Sequence, residues 1–246
     1  MNERSKQVRR DTIKLMQQYG GTHFGGSMSC VEILIALYDH ILTDNDIFIL
    51  SKGHACWPYY VLLKEKGYSP RMEAHPHYDP HNGVHCTTGS LGHGLPFGLG
   101  IALAKKIKKE PGRVYVLMGD GECQEGTLWE SLLIANAKDI NNVTVIVDNN
   151  KLQGSDEVSN IVRSGWPVGI APWFQGIAMH CGWKSLITDG HSITDIVKDI
   201  ELKTPRPKFI MADTIKGRGI SFMENSVEWH SKPLLPDLEK KALEEL

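Results

Sequence analysis

The sequence has no surplus of positive charge. Its 27 lysines and arginines stand against 29 acidic residues, a formal net charge of −2. No nucleic-acid partner is expected, because a polyanion needs a basic surface. There is no apolar run long enough to span a bilayer, so no membrane crossing is expected. The N-terminal stretch MNERSKQVRR is too charged for the apolar segment of a secretory signal. The cysteines Cys30, Cys56, Cys86, Cys123 and Cys181 are odd in number and none forms a CxxC pair. That argues against a disulfide framework and a thiolate zinc site, and for a reducing, cytoplasmic setting. No repeat, low-complexity segment or domain boundary interrupts the 246 residues. With 41% hydrophobic and 23% charged residues, 1–246 reads as a single domain with a substantial core.

What is present is an alternation of helical and strand patterns. Residues 4–18 read as an amphipathic helix ended by Gly20 and Gly21. Ser29 is placed to cap a second helix, CVEILIALYDHIL, with Glu32 at the capping-box position. A short strand at 47–50 and a helix over 55–67 follow. The stretch 73–94, rich in His, Pro, Gly and Thr, reads as a long functional loop. Further on, a helix at 95–104, whose small residues permit close packing, precedes a strand at 113–118. A helix at 125–138, a strand at 143–147, a helix at 192–202 and a strand at 208–212 complete the series. After Pro236 the pattern is a charged helix or a frayed end. Strands apolar on both faces and separated by helices predict an α/β fold, a parallel sheet sandwiched by helices.

Two polar motifs sit where chemistry is expected in such a fold. Gly119-Asp120-Gly121-Glu122 follows one strand directly, and Asp148-Asn149-Asn150-Lys151-Leu152 follows another. Parallel strands end at a common edge, so both motifs meet where open α/β sheets bind ligands. Asp120 supplies a carboxylate and Asn150 an amide oxygen, donors suited to a hard cation such as Mg2+ that completes its shell with phosphate oxygens and water. The glycines let the backbone approach a phosphate, and a following helix adds N–H donors. The pair reads as a magnesium–diphosphate clamp; a lone Gly-Asp-Gly would be an ordinary turn. Asp148 and Asn149 read as structural turn residues after their strand.

The eleven histidines need individual weighing. His75, His77, His81, His85 and His93 raise the thought of zinc, but no HxxxH lies on a clear helix with a general-base glutamate. His77, His81 and His85 read as solvated loop residues, and His40 and His180 as structural. His191 reads as a cap or packing residue. Cys123 reads as a small buried residue, and Trp57, Trp129, Trp173 and Trp183 as core.

The ordered set of motifs resembles the transketolases, and in particular the N-terminal subunit of split bacterial transketolases. The resemblance runs through Gly21-Thr-His23-Phe-Gly-Gly-Ser-Met-Ser29, Leu50-Ser-Lys52-Gly-His54-Ala55, Ala74-His75-Pro76 and Thr87-Thr-Gly89-Ser-Leu91-Gly-His93-Gly-Leu95. It continues in Gly119–Gly126, Asp148–Lys151, Asp189-Gly-His191, and Thr214–Gly219 through Trp229-His230. It implies a thiamine diphosphate-binding fold, specifically the diphosphate-binding domain. It also implies transfer of a two-carbon ketol (glycolaldehyde) unit from a ketose to an aldehyde acceptor.

The resemblance implies these roles. Asp120, Asn150 and the carbonyl of Leu152 would hold Mg2+, for which Ca2+ or Mn2+ could substitute. Gly119, Gly121 and Glu122 belong to the cofactor turn, and Gly121 would offer its N–H to the diphosphate. His54 and His230 would donate to the diphosphate, and Gly89 and Leu91 would touch the cofactor. Lys52 and Lys216 would sit near the phosphates. His23, His75 and His230 would steer protons and substrate hydroxyls. Glu125 would meet a carboxylate of the partner across an interface.

The pyrimidine-binding and C-terminal domains of the family have no counterpart in this sequence. They are expected on a partner subunit, most simply in an α2β2 assembly. The stretch 155–182 departs from the family pattern. Ketose phosphates, branched or sulfonated sugars, and two-carbon transfer in a specialised pathway all remain open as substrates. Related thiamine enzymes also remain open at this level, as deoxyxylulose phosphate synthase-like or 2-oxo-acid dehydrogenase-like subunits. So do a magnesium-dependent phosphate-handling protein and a non-catalytic subunit.

Overall fold

The computed structural model describes residues 1–162 and 173–246. Its centre is a five-stranded, wholly parallel sheet of β1 (Ile47–Leu50), β2 (Val114–Gly119), β3 (Val143–Asn149), β4 (Lys184–Asp189) and β5 (Lys208–Asp213). The strand order is β1-β2-β3-β5-β4, so the chain steps from β3 out to the edge and returns between.

Successive side chains of a strand point to opposite faces, and here both faces are apolar. Phe48, Leu50, Tyr115, Leu117, Ile146, Ile210 and Ala212 pack into one core, under α1 (Glu3–Tyr19), α3 (Val31–Ile35), α4 (Trp57–Glu65), α9 (Ile193–Glu201) and α10 (Pro236–Glu245). Ile49, Val116, Met118, Val145, Val147, Phe209 and Met211 pack into the other, under α5 (Gly94–Lys108), α6 (Gly126–Ala137) and α8 (Trp173–His180). Two short helices, α2 (Phe24–Ser29) and α7 (Val158–Ile161), serve loops near the strand ends. The expected sandwich of helices around a parallel sheet is what the chain forms.

Local physics accounts for the boundaries. Asn2 caps α1 by accepting from Ser5 N at 2.8 Å, and Gly20 ends it at φ 73, the left-handed conformation glycine reaches without strain. The small residues of α5 do allow close approach: a Cβ on Gly98 would lie 2.8 Å from Val116 Cγ2 on β2.

Several expectations need correction. The segment after Ser29 is not one capped helix. Ser29 ends α2 and its hydroxyl turns inward to Asp148, while Glu32 takes Arg9 as its partner instead of a backbone N–H. Asp148 and Asn149 are not turn residues; they are the last two residues of β3, and both are buried. His85 is half-buried rather than solvated, while His77 and His81 are exposed as expected. His40 and His180 are exposed. Trp57 and Trp183 are core; Trp129 and Trp173 are half-buried and stack with ring centroids 5.2 Å apart. Cys123 is fully buried. The divergent stretch 155–182 lies partly outside the described residues.

Candidate active site

The C-terminal ends of the strands deliver every motif to one edge. β1 leads into Lys52 and His54, β2 into Asp120, β3 into Asn150, and β5 into Lys216. The loops from α1 and α4 add His23 and His75, and the turn at Val227–His230 adds His230.

Four histidines that lie far apart in sequence converge there. The ring centroids of His23, His54 and His230 form a near-equilateral triangle with sides of 5.3, 5.5 and 5.4 Å, and His75 lies 6.4 Å from His23. Gly89 lies under His75: it adopts φ 147, and a Cβ there would come within 3.2 Å of the imidazole. Burial pushes His23 down, with the charges of His75 and Lys216 adding to it. Burial and then Lys52 push His54 well down. Burial and then Lys216 bring His230 to about 4. These three rings are therefore neutral at pH 7, each able to donate one hydrogen bond and accept another.

Lys216 fixes the orientation of His230. Its Nζ lies 3.1 Å from His230 Nδ1 and 3.1 Å from Leu152 O. An ammonium only donates, so Nδ1 is the acceptor and the ring proton sits on Nε2, free to donate to a ligand. Burial, followed by the charge of Lys52, lowers Lys216 to about 8, so at pH 7 it is predominantly charged.

Asp120 is buried directly after β2. Its Oδ1 accepts from Gly121 N at 2.7 Å, and its Oδ2 accepts from Lys151 N, which ties the Gly-Asp-Gly turn to the β3 turn. Burial and the charge of nearby Asp148 push its carboxyl up to about 7. A divalent cation would relieve that penalty. Asn150 Oδ1 accepts from Leu152 N at 3.1 Å, so the amide oxygen faces the same turn. Among the described residues no group of three or more His, Cys, Asp or Glu side chains could hold a metal. An ion here would instead take one carboxylate, one amide oxygen and one main-chain carbonyl. Those hard donors fit Mg2+ with phosphate oxygens completing the shell.

Other expected site residues serve the scaffold. Lys52 is buried and pairs with Asp148, also donating to Gly26 O at 3.0 Å. Burial alone would neutralise both members; their mutual attraction keeps Asp148 low and Lys52 high, and therefore both charged. Asp148 is further held by Ser29, at 2.5 Å, and by Thr214. Glu122 is buried and accepts from Ser51 Oγ, from Gly92 N at 2.8 Å and from Gly119 N at 3.1 Å. It staples the Leu91 loop to the Gly119 turn. Glu125 stands exposed at the start of α6. Sequence reasoning does not find Ser29, Asp148 and Thr214 as site residues. The signal for them is a lysine two residues past a buried strand, which requires a counter-ion from elsewhere in the chain.

A parallel α/β sheet with a glycine turn, a carboxylate and an amide at its C-terminal edge, backed by imidazoles, is an α/β fold of the class that binds ligands at that edge. Residues 2–245 match the family described as transketolase, thiamine diphosphate binding domain, and the chain belongs to that family. It is similar to one of the subunits of the apulose-4-phosphate transketolase of Actinobacillus succinogenes, at 35% identity across 100% of this chain and 95% of the relative. It is also similar to the 6-deoxy-6-sulfo-D-fructose transketolase subunit SqwG of a Clostridium species, at 30% identity over 97% of this chain and 93% of that one. Among solved structures, the transketolase of Campylobacter jejuni superposes with a TM-score of 0.83 at 25% identity. That match covers 99% of this chain but 43% of the other. The chain thus spans nearly the whole length of relatives that are themselves subunits, and under half of the transketolase of the solved structure.

Proposed function

We propose that this chain is the diphosphate-binding subunit of a two-subunit transketolase. The complex would transfer a two-carbon ketol unit from a ketose donor to an aldehyde acceptor. The observation that carries this reading is the convergence of Asp120, Asn150 and Leu152 O with the His23, His54, His75 and His230 cluster at one sheet edge. When bound, thiamine diphosphate supplies the nucleophilic carbon and the electron sink for the two-carbon fragment.

The chain's own residues do the rest. Asp120, Asn150 and the Leu152 carbonyl would hold Mg2+, whose charge would offset that of the diphosphate. The Nε2–H of His230 would donate to a phosphate oxygen, with His54 beside it, whereas the N–H of Gly121 is already taken by Asp120 Oδ1. Lys216 adds positive charge between the metal turn and His230. His23 and His75 would hold donor and acceptor hydroxyls and move protons between them, work for which imidazole is suited near pH 7. Gly89 and Leu91 form a wall against the cofactor.

A partner subunit would supply the pyrimidine-binding half, as an α2β2 assembly. The relatives named as subunits support this, and so do exposed apolar side chains on α5 and α6. Phe97 on α5 and Leu133 and Ile134 on α6 are 47%, 60% and 50% exposed. Large exposed apolar side chains on α5 and α6 suit burial by a partner, and Glu125 at the head of α6 would meet that partner. Five free thiols support a cytoplasmic setting. The donor class is a ketose ending in an anionic group. The support is that one relative is named for a sugar phosphate and another for a sulfosugar.

The test is a transfer assay on the chain with its partner, thiamine diphosphate and Mg2+. Ketose phosphates and sulfonated ketoses are offered with an aldose acceptor, and the chain-lengthened product is read by mass spectrometry. Product lost in Asp120→Ala supports the reading. Turnover of pyruvate with no ketol transfer would replace it with another thiamine-dependent reaction.

A further inference from the structure

Lys216 stands on a loop whose backbone is held at several points, among them Lys216 O, which accepts from Asn225 N at 2.9 Å, and three contacts that flank Lys216. His191 Nε2 accepts from Ile215 N at 2.8 Å, on its N-terminal side. Gly25 O accepts from Gly217 N at 3.0 Å. Arg9 Nε donates to Arg218 O at 2.8 Å, on its C-terminal side. Two of these three grips lead back to one buried carboxylate. Arg9 binds Glu32 through both terminal nitrogens, at 2.6 and 2.8 Å, and His191 Nδ1 lies 3.0 Å from Glu32 Oε2. Arg9 also donates to Met28 O at 2.9 Å, which anchors it between α1 and α2.

The protonation pattern follows from these partners. Because Nε2 accepts from a backbone N–H, the ring proton of a neutral His191 is on Nδ1, where it donates to Glu32. Burial alone would push Glu32 up, but the hydrogen bonds from Arg9 and His191 overcome this and bring it down to about 2. The carboxylate is thus ionised and fixes both partners. The network runs unbroken from α1, through α3 and the β4–α9 turn, to the loop that follows β5.

We propose that Arg9, Glu32 and His191 form a clamp on the 214–219 loop, with His191 as the positioning residue that sets Lys216 against Leu152 O and His230 Nδ1. His191 itself touches neither of those atoms and acts through Ile215. As regards the ligand, the proposal rests on the diphosphate reading above: a loosened clamp would let Lys216 drift and weaken the grip on phosphate. The clamp itself is independent of that reading.

The experiment therefore has readouts on both levels. Imidazole 15N NMR on the full chain is expected to show His191 as the Nδ1–H tautomer; the Nε2–H tautomer or an imidazolium would overturn the clamp. In His191→Phe, amide exchange at Ile215 is expected to rise about fivefold, the worth of one hydrogen bond, with Val145 in β3 unchanged. Unchanged exchange at Ile215 would overturn the clamp.

With the partner subunit present, calorimetry on His191→Phe should show thiamine diphosphate and Mg2+ binding about fivefold weaker. The kcat at saturating cofactor should hold within about twofold, and His191→Gln, whose amide oxygen can accept from Ile215 N, should restore affinity. Equal affinity in wild type and His191→Phe would overturn the positioning role. Should His191→Phe not fold, His191→Gln and the wild-type tautomer decide the question. If the wild-type complex binds no thiamine diphosphate, the functional reading fails, and the tautomer and exchange results still decide the clamp.

Discussion

At the scale of the residue, two ion pairs are buried, Arg9–Glu32 and Lys52–Asp148. Arg9 and Glu32 are both fully buried, and removing one member leaves the other charged in the core. Arg9→Ala should destabilise the chain by about 3–5 kcal/mol in urea unfolding, whereas a surface pair such as Lys240–Glu244 should change it by under about 1 kcal/mol. A loss below about 1 kcal/mol for Arg9→Ala would contradict the buried-pair account.

The histidines make stability depend on pH in a definite direction. His23, His54 and His230 are held below the ordinary histidine value in the folded chain. The unfolded chain therefore takes up protons first, and the stability from keeping these rings neutral is complete above about pH 6.5 and lost as pH falls through the folded values. Asp120, raised to about 7, works the other way over part of this range. The measurement is thus a difference. Between pH 7 and 5 the melting temperature of His230→Gln should fall less than that of wild type. Equal slopes would mean His230 is not held neutral by its surroundings.

Residue roles are unevenly legible in the sequence. Asp120, Asn150 and the histidines sit in short motifs next to strands, so their placement can be read locally. That of Asp148 cannot, since its partners Lys52, Ser29 and Thr214 are 96, 119 and 66 residues away. Lys52 and Glu122 read as ligand-facing because they belong to motifs, whereas burial turns both inward to hold the loops that carry the ligand-facing groups.

At the scale of the element, the strands buried on both faces are the clearest. β1, β2, β3 and β5 are apolar runs that no amphipathic helix would produce. β4 is hidden because it is an edge strand whose sequence, Lys184-Ser-Leu-Ile-Thr-Asp189, leaves much of one side to solvent and carries no long apolar run. α2 is hidden for a different reason. Phe24-Gly-Gly-Ser-Met-Ser29 has poor helix propensity, and it forms a helix only where all six residues are buried between neighbours.

Close packing is what α5 contributes. Gly98 faces Val116, Val114 and Ile49 with no room for a side chain, while Gly100, two residues on, has open space. Gly98→Val should destabilise by about 1–3 kcal/mol through overpacking. Gly100→Ala should be neutral to mildly stabilising, by up to about 1 kcal/mol, because alanine is the better helix former. Thermal melts of the two variants check this, and similar losses in both would contradict the packing of α5 on β2.

At the scale of the whole molecule, the sheet collects the candidate site at one edge, and Phe97 on α5 with Leu133 and Ile134 on α6 stand exposed. The partner is legible in the sequence only through resemblance, since no local pattern states what a chain must join. No helix among the described residues is long and apolar enough to cross a membrane.

The most direct test of the account is calorimetric titration of thiamine diphosphate with Mg2+ into the chain, alone and with its partner subunit, with Asp120→Ala alongside. Weak binding alone, tight binding with the partner, and loss of at least about a hundredfold in Asp120→Ala is the predicted result. No binding in either state, or binding that Asp120→Ala leaves intact, would contradict it.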